Sequence, residues 1–448
     1  MLHVFKNRGR RLSPSGFATA VLGVIATAGW TVAVHAGTIA TVALTETASP
    51  IAGADYRAVK LPNVGDAPSF PVAFRAFIKG PSVKKRGLMA AASSSSGALL
   101  VEKGQVTPLG TGLYRTFSRP SVDASGTVIW LSRASGVGRG VFQHDGVSDD
   151  VVFVQGTGVP SGGTLNKISL PSICGAGGVV AHATVSGGPI TEGIFQCAGG
   201  DGNCTGGGTG TLSELVVEGD PVADRPGRAF CSFETGVRCS SWGIAFRAST
   251  KINCSDTGEV ALSGVFRMAF GGSVETLALE GEAANSVGSL TSPSYDSFRD
   301  PPGIESTGNV VFRARVTASN GNEEGLYECD PAASCPGTPA GARFANGYAD
   351  SFVPPNTVAR IASPDIDDSG RIVFYASARD HGLGRSVYKL EPGATQPDLV
   401  AYEGATISDL PGAEIRRPFV PHVSPAGKIA FRARVRNAAG KMGVFLWQ

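Results

Sequence analysis

Charge is scarce in this chain. Only 17% of its 448 residues are Asp, Glu, Lys or Arg, and the formal net charge is +2; an average soluble domain carries about 25%. Nucleic-acid binding is therefore not expected, because it needs a basic face to meet phosphates. A coiled coil laced with salt bridges is excluded for the same reason. Histidine is sparse too, at 6 residues, and no H-E-x-x-H occurs. C-x-x-C, G-x-S-x-G and G-x-x-x-x-G-K-[ST] are all missing, so zinc-site, thioredoxin-type, serine-nucleophile and phosphate-loop signatures are absent. No cofactor is expected. In excess are 61 Gly, with 28 Pro and 22 Phe. Gly and Pro together stay below the ~25–30% that marks disorder, and 42% hydrophobic residues supply a sizeable core. The composition implies many short strands joined by tight turns.

One apolar run stands apart from the rest. Lys6, Arg8, Arg10 and Arg11 precede an uncharged stretch from Phe17 to Val34, and Val34-His35-Ala36 places small residues at the cleavage positions before Gly37. Residues 1–36 thus read as a secretory signal peptide. An uncleaved anchor is the alternative, since a stretch of that length just spans a bilayer. Ser13 and Pro14 after Arg10-Arg11 disfavour a twin-arginine route. Without the leader's four basic residues, 35 basic face 37 acidic side chains and the net charge becomes −2. The destination is then periplasmic or extracellular, with no membrane contact after cleavage. All eight cysteines lie beyond the leader, and an even count in an exported chain reads as disulfides.

The chain repeats itself. Ile/Val-x-Phe-x-Ala, with a Gly one or two residues ahead, recurs before Gly-Val-Phe, as in Gly243-Ile244-Ala245-Phe246-Arg247-Ala248 with Gly264-Val265-Phe266, and Gly427-Lys428-Ile429-Ala430-Phe431 with Gly443-Val444-Phe445. The marker residues are Phe74, Trp130, Ala181, Phe246, Phe312, Phe374 and Phe431, spaced 51 to 66 residues apart. Each copy alternates apolar and polar residues and reads as a strand. The Asp-x-Ser-Gly or Pro-Ala-Gly before it is turn chemistry. A third apolar run, as in Leu215-Val216-Val217-Glu218, and a leading Pro-x-Ile/Val segment make four strands per unit. Seven such units predict an all-β, seven-bladed β-propeller over residues 37–448.

The last unit ends at Gln448 without a fourth strand, while Thr41-Val42-Ala43-Leu44-Thr45 matches Thr276-Leu277-Ala278-Leu279-Glu280. The N-terminal strand is therefore expected to complete the last blade and close the ring. The motif Pro421-His422-Val423-Ser424-Pro425-Ala426-Gly427-Lys428-Ile429-Ala430-Phe431 resembles the repeat of TolB-type bacterial propellers, and the tandem units resemble a group of exported bacterial repeat proteins. The resemblance covers residues 38–448 and implies the fold, not an activity.

Candidate chemistry is thin. Asp365, Asp367 and Ser369, with Gly370, follow the opening of a calcium loop, but its twelfth position is Ala376 instead of Glu. The same slot is a simple turn in other units, so a turn is expected there in preference to a metal site. Ser121 to Thr127 is similar to a sialidase Asp-box, with one residue too many between Asp123 and Gly126. Arg75, Arg247, Arg313 and Arg432 recur after the marker, and Glu218, Glu280 and Glu403 recur at the ends of fourth strands. Arg–Glu pairs between blades are expected of them in preference to an anion site. Of His144, His182, His381 and His422, the second falls on the repeated Arg slot and the last on a first strand that could face the channel. Cys197 with Cys204 and Cys329 with Cys335 are spaced as loop staples. On propeller geometry Cys231 fits Cys254, and Cys174 fits Cys239, other pairings remaining open.

Three functions are compatible with this. The first is a non-catalytic, monomeric module binding a protein or glycan through the loops of one face. The second is a glycan-active hydrolase or lyase, which requires carboxylates or a Tyr/His set converging on the channel mouth. The third is a structural envelope component, if the leader stays as an anchor. The missing catalytic motifs and the charges tied to the repeat favour the first.

Overall fold

The computed structural model describes residues 37–448 apart from 69–70, 94–95, 176–177, 200–201, 286–289, 332–340, 346–357, 379–383 and 395. Regular structure among the described residues is β-strand throughout. Seven antiparallel sheets follow one another along the chain. Blades 1 to 6 span residues 55–102, 114–154, 164–217, 229–279, 294–345 and 358–402, and blade 7 joins 414–447 to Ile39–Leu44. The chain is thus a seven-bladed β-propeller.

Each blade is built on the repeat. The marker on the second strand lies directly opposite the aromatic of Gly-Val-Phe on the third, as in Phe246 with Phe266 and Phe431 with Phe445. The paired rings stack, with centroids 5.6 Å apart in blade 4 and 5.7 Å apart in blade 5 between Phe312 and Tyr327. Such cross-strand aromatic pairs hold a sheet locally. The glycine of the motif makes room for the ring: a Cβ at Gly443 would sit 2.4 Å from the Phe445 ring, and one at Gly264 2.7 Å from Phe266. The core lies between blades. Ala245 and Val265 of blade 4 pack with Tyr295, Phe312 and Tyr327 of blade 5, so a blade alone would leave both faces wet.

Ring closure follows the same rule. Ile39 pairs with Trp447, Ala40 with Leu446 and Leu44 with Gly443. Asp409 accepts hydrogen bonds from Thr41 N and Oγ1, both at 2.9 Å. Asp224 does the same for Thr276 in blade 4, at 3.1 and 2.7 Å. The N-terminal segment therefore occupies a fourth-strand slot in detail. Val42, Ala43 and Val444 then pack against Tyr56, Phe74 and Met89 of blade 1.

The first strands depart from a simple meander. In blades 2, 3 and 4 they break in two, for instance Tyr114–Phe117 and Ser121–Val122. Elsewhere the register slips, between Lys60 and Asn63 in blade 1 and between Ala362 and Asp365 in blade 6. Pro62, Pro120, Pro171, Pro364 and Pro421 sit at these breaks, where a residue without an N–H cannot continue the ladder.

Three disulfides lie in blades 3 and 4. Cys174–Cys239 ties the inner strands of the two blades, Cys197–Cys204 closes a short loop, and Cys231–Cys254 ties the first strand of blade 4 to its second-to-third connection. Cys329 is disulfide-bonded, and Cys335 lies outside the described residues.

The Arg–Glu ladder expected between blades does not form. Arg313 reaches Asp300 at 2.7 Å and Glu324 at 2.6 Å, both within its own blade, and Arg247 pairs with Glu234 of its own blade. Arg432 lies over the Phe419 ring at 4.3 Å. Glu280 instead accepts from Ser263 N, and Glu218 from Thr191. A recurring position fixes where the side chain starts, but its partner comes from whichever nearby strand offers a carboxylate.

Candidate functional site

Beyond the proline break, each first strand rejoins its neighbour for its last residues. Asn63, Ser121, Ser172, Arg238, Gly303, Asp365 and His422 occupy equivalent ladder positions there, opposite Ala73, Ile129, Val180, Ala245, Val311, Val373 and Ala430. One residue per blade thus forms an axial ring, and six of the seven are polar. The apolar residue that follows is buried in six blades, as with Val64 and Val122, and half-buried in blade 4, where it is Cys239, in keeping with period-two alternation.

The ring holds a buried charge network drawn from distant blades. Arg119 of blade 2 donates from Nη1 to His422 Nε2 at 2.8 Å, and His422 Nδ1 lies 3.2 Å from Asp365 Oδ2. A guanidinium only donates, so Nε2 is the acceptor and the imidazole proton sits on Nδ1, directed at Asp365. Val423 N also donates to that carboxylate at 3.3 Å. Burial alone would raise the Asp365 pKa, but Arg238 and then His422 outweigh it and hold the carboxylate below its ordinary value. Burial, then Arg238, lowers Arg119 to about 9, with Asp365 acting against both. For His422, burial and then Arg119 lower the pKa from 6.5 to about 4.

This depression gives the first testable expectation. Below pH 6.5 the unfolded chain takes up a proton on His422 while the folded chain does not, so stability falls as the pH drops from 6.5 to about 4. The span corresponds to roughly 3 kcal/mol. Urea unfolding across this range should show a shallower slope for His422→Gln than for the parent; identical slopes would remove His422 from the network.

The ring opens into an axial cavity of about 220 Å³ lined from every blade, including Asn63, Ser121, Ser172, Arg238, Ile304, Asp365 and Val423. Ser240, Ser241, Ser306, Asp123 and Asp368 stand at its mouth. These outer carboxylates are occupied. Asp123 Oδ1 accepts from Ser125 N and Thr127 N, both at 2.9 Å, and Asp368 accepts from Ser306 N at 3.0 Å. The sequence similar to an Asp-box is thus a capped turn.

The calcium-loop residues separate in the structure. Asp365 faces the axis, whereas Asp367 caps its own turn through Ser369 N at 3.0 Å and Arg371 N at 2.9 Å, with Gly370 at φ 80°. Ser369 Oγ donates to Asp367 as well. Among the described residues, no three His, Cys, Asp or Glu side chains are grouped as a metal would require. His182 is buried against Glu192 at 3.0 Å, His144 meets Asp149 at 2.9 Å, and His381 lies outside the described residues.

Sequence reading singled out Asp365 and His422 but not Arg119 or Arg238. Their one signal was irregularity: both put an arginine at a slot where no other blade carries one. Chemically, the cluster offers donors and acceptors around a fixed axis. It does not offer a free base, because both nitrogens of His422 are engaged.

No curated protein sequence matches this chain. Among solved structures it is similar to the polysaccharide lyase Uly1, with 11% identity over 87% of this chain and 90% of that one at a TM-score of 0.43. It is also similar to a protein of unknown function from Dyadobacter fermentans, with 11% identity over 92% and 97% at 0.32, and to the tricorn protease, with 11% identity over 89% and 36% at 0.38. Likenesses this distant carry nothing about activity. A family's sequence model matches twice, over residues 17–256 and 206–447, as the tandem blades would lead one to expect. The chain belongs to that family, the family of unknown function DUF7453.

Proposed function

We propose that the protein is an exported binding module that holds the end of a glycan in the axial mouth. The observation that carries this reading is the axial ring, one residue from each blade and six of the seven polar. Carboxamide, hydroxyl, guanidinium and carboxylate groups line the cavity, a mixture of donors and acceptors that suits vicinal sugar hydroxyls. At about 220 Å³, the space is smaller than the ~300–1,000 Å³ of ordinary ligand pockets, which suits a chain end more than a whole oligosaccharide. The disulfides support export.

Binding is favoured over turnover because the groups needed for turnover are committed. Glycoside hydrolysis needs one carboxyl free to donate a proton and another free to attack or to activate water. Asp123 and Asp368 hold turn amides, Asp365 holds His422, and among the described residues no Tyr lines the cavity.

The test uses residues 37–448 against a panel of glycans, scored for both binding and turnover. Arg238→Gln should weaken the retained glycan at least tenfold in a variant shown by circular dichroism to remain folded. Release of reducing ends or of unsaturated products would replace this reading with a hydrolase or lyase.

A further inference from the structure

The first strand of blade 7, Glu414–Val423, ends at the axial mouth. Its other end carries a different feature. Arg416 and Arg417 stand there beside Arg434 of the second strand and Arg385 of blade 6, around a cavity of about 450 Å³. Arg417 and Arg434 lie directly opposite each other in the ladder, and like charges in such a pair destabilise a sheet. The next charged pair along, Glu414 with Arg436, is complementary and hydrogen-bonded. So the strand pair tolerates repulsion at one place and relieves it at another.

The cavity is also short of acceptors. Arg385 Nη1 and Arg417 Nε are buried without hydrogen-bond partners. Neither residue forms an ion pair among the described residues, and Arg417 instead lies over the Phe419 ring at 5.1 Å. Arg416 and Arg434 are exposed at the rim. Glu403 is the one acidic side chain among the described residues of the lining, beside four guanidiniums. A buried, unpaired guanidinium is costly, and forked N–H donors fit an oxyanion in bidentate fashion.

We propose that this arginine cradle between blades 6 and 7 is a binding site for an oxyanion group, a sulfate, phosphate or carboxylate carried by a ligand. The site lies at the loop end of the blades, away from the axial mouth, and stands independently of the glycan reading. Arg432 supports it: burial and then Arg434 hold its guanidinium below its ordinary value, as expected where cations crowd without enough counter-charge.

The experiment titrates residues 37–448 with inorganic sulfate and with inorganic phosphate by calorimetry, at constant ionic strength set with sodium chloride. Saturable binding of at least one anion is expected. Arg385→Gln and Arg417→Gln should each weaken it at least fivefold, with Arg416→Gln as the exposed substitute if Arg417→Gln does not fold. Glu403→Gln should tighten binding, because it removes the competing carboxylate, an effect that a merely structural role would not produce. Arg436→Gln, already neutralised by Glu414, and Arg238→Gln at the axial mouth should leave it unchanged. No saturable binding beyond chloride, or equal losses from Arg436→Gln and Arg417→Gln, would overturn the site. Survival of anion binding in a protein that binds no glycan would reject the axial reading alone.

Discussion

A protein beginning at Thr45 is expected to lose its cooperative fold. The missing strand, Ile39–Leu44, buries Val42, Ala43 and Leu44 to within 2% of full burial and Ile39 nearly so. At about 1.5–3 kcal/mol for each large aliphatic side chain, its three contribute roughly 5–9 kcal/mol before any ladder hydrogen bond is counted. That rivals the whole 5–15 kcal/mol by which a domain is usually stable. The loss would also leave Met442–Trp447 as an open edge, a template for aggregation. The check is urea unfolding with size-exclusion chromatography, comparing residues 37–448 with 45–448. A point variant sharpens it: Val42→Asp buries an unpaired carboxylate facing blade 1 and should cost about 4 kcal/mol or more. A shortened protein that unfolds cooperatively within about 1 kcal/mol of the parent would mean that the ring does not depend on its closing strand.

Asp365→Ala should be the most damaging single change on the axis. Arg119 and Arg238 both act on this one carboxylate, and His422 directs its Nδ1 proton at it. Removing it leaves two cations facing each other across the ring, and breaking a buried charge pair from one side typically costs 3–5 kcal/mol. Asp123→Ala, which loses only hydrogen bonds at a turn, should cost about 1 kcal/mol. The pH dependence gives a second handle. Because the folded-state pKa of Asp365 lies below its ordinary value, its contribution is complete above about pH 4 and is lost as the pH falls through the folded pKa. The variant should therefore show a flatter acid limb than the parent. Equal unfolding free energies for Asp365→Ala and Asp123→Ala would dissolve the network.

Much of the architecture was legible because it rests on contacts that are near in sequence. Phe431 and Phe445 are neighbours in one hairpin, and the glycine before the second ring repeats because the ring lies over it. Even closure could be read, since Thr41-Val42-Ala43-Leu44 carries the residues that a fourth strand needs, down to the threonine that an aspartate holds in blades 4 and 7. The arginine ladder was misread for a physical reason. Periodicity locates Arg247 and Arg313 on their strands, but Glu234, Asp300 and Glu324, which meet them, follow no period. Asp365 and Asp367 stand two residues apart in sequence, yet the strand ends at Ile366 and the turn carries Asp367 away from the axis.

The sequence by itself thus determined the blades, their number and the way the ring closes, because each depends on a local pattern of strand, turn and paired aromatic. Only the tertiary structure decided what the ring contains. Arg119, Arg238, Asp365 and His422 come from four blades and span 303 residues of chain between Arg119 and His422. Nothing in their local surroundings marks them as neighbours. They meet because closing seven blades brings one inner strand end from each to a common axis, and the charge balance there belongs to the closed ring alone.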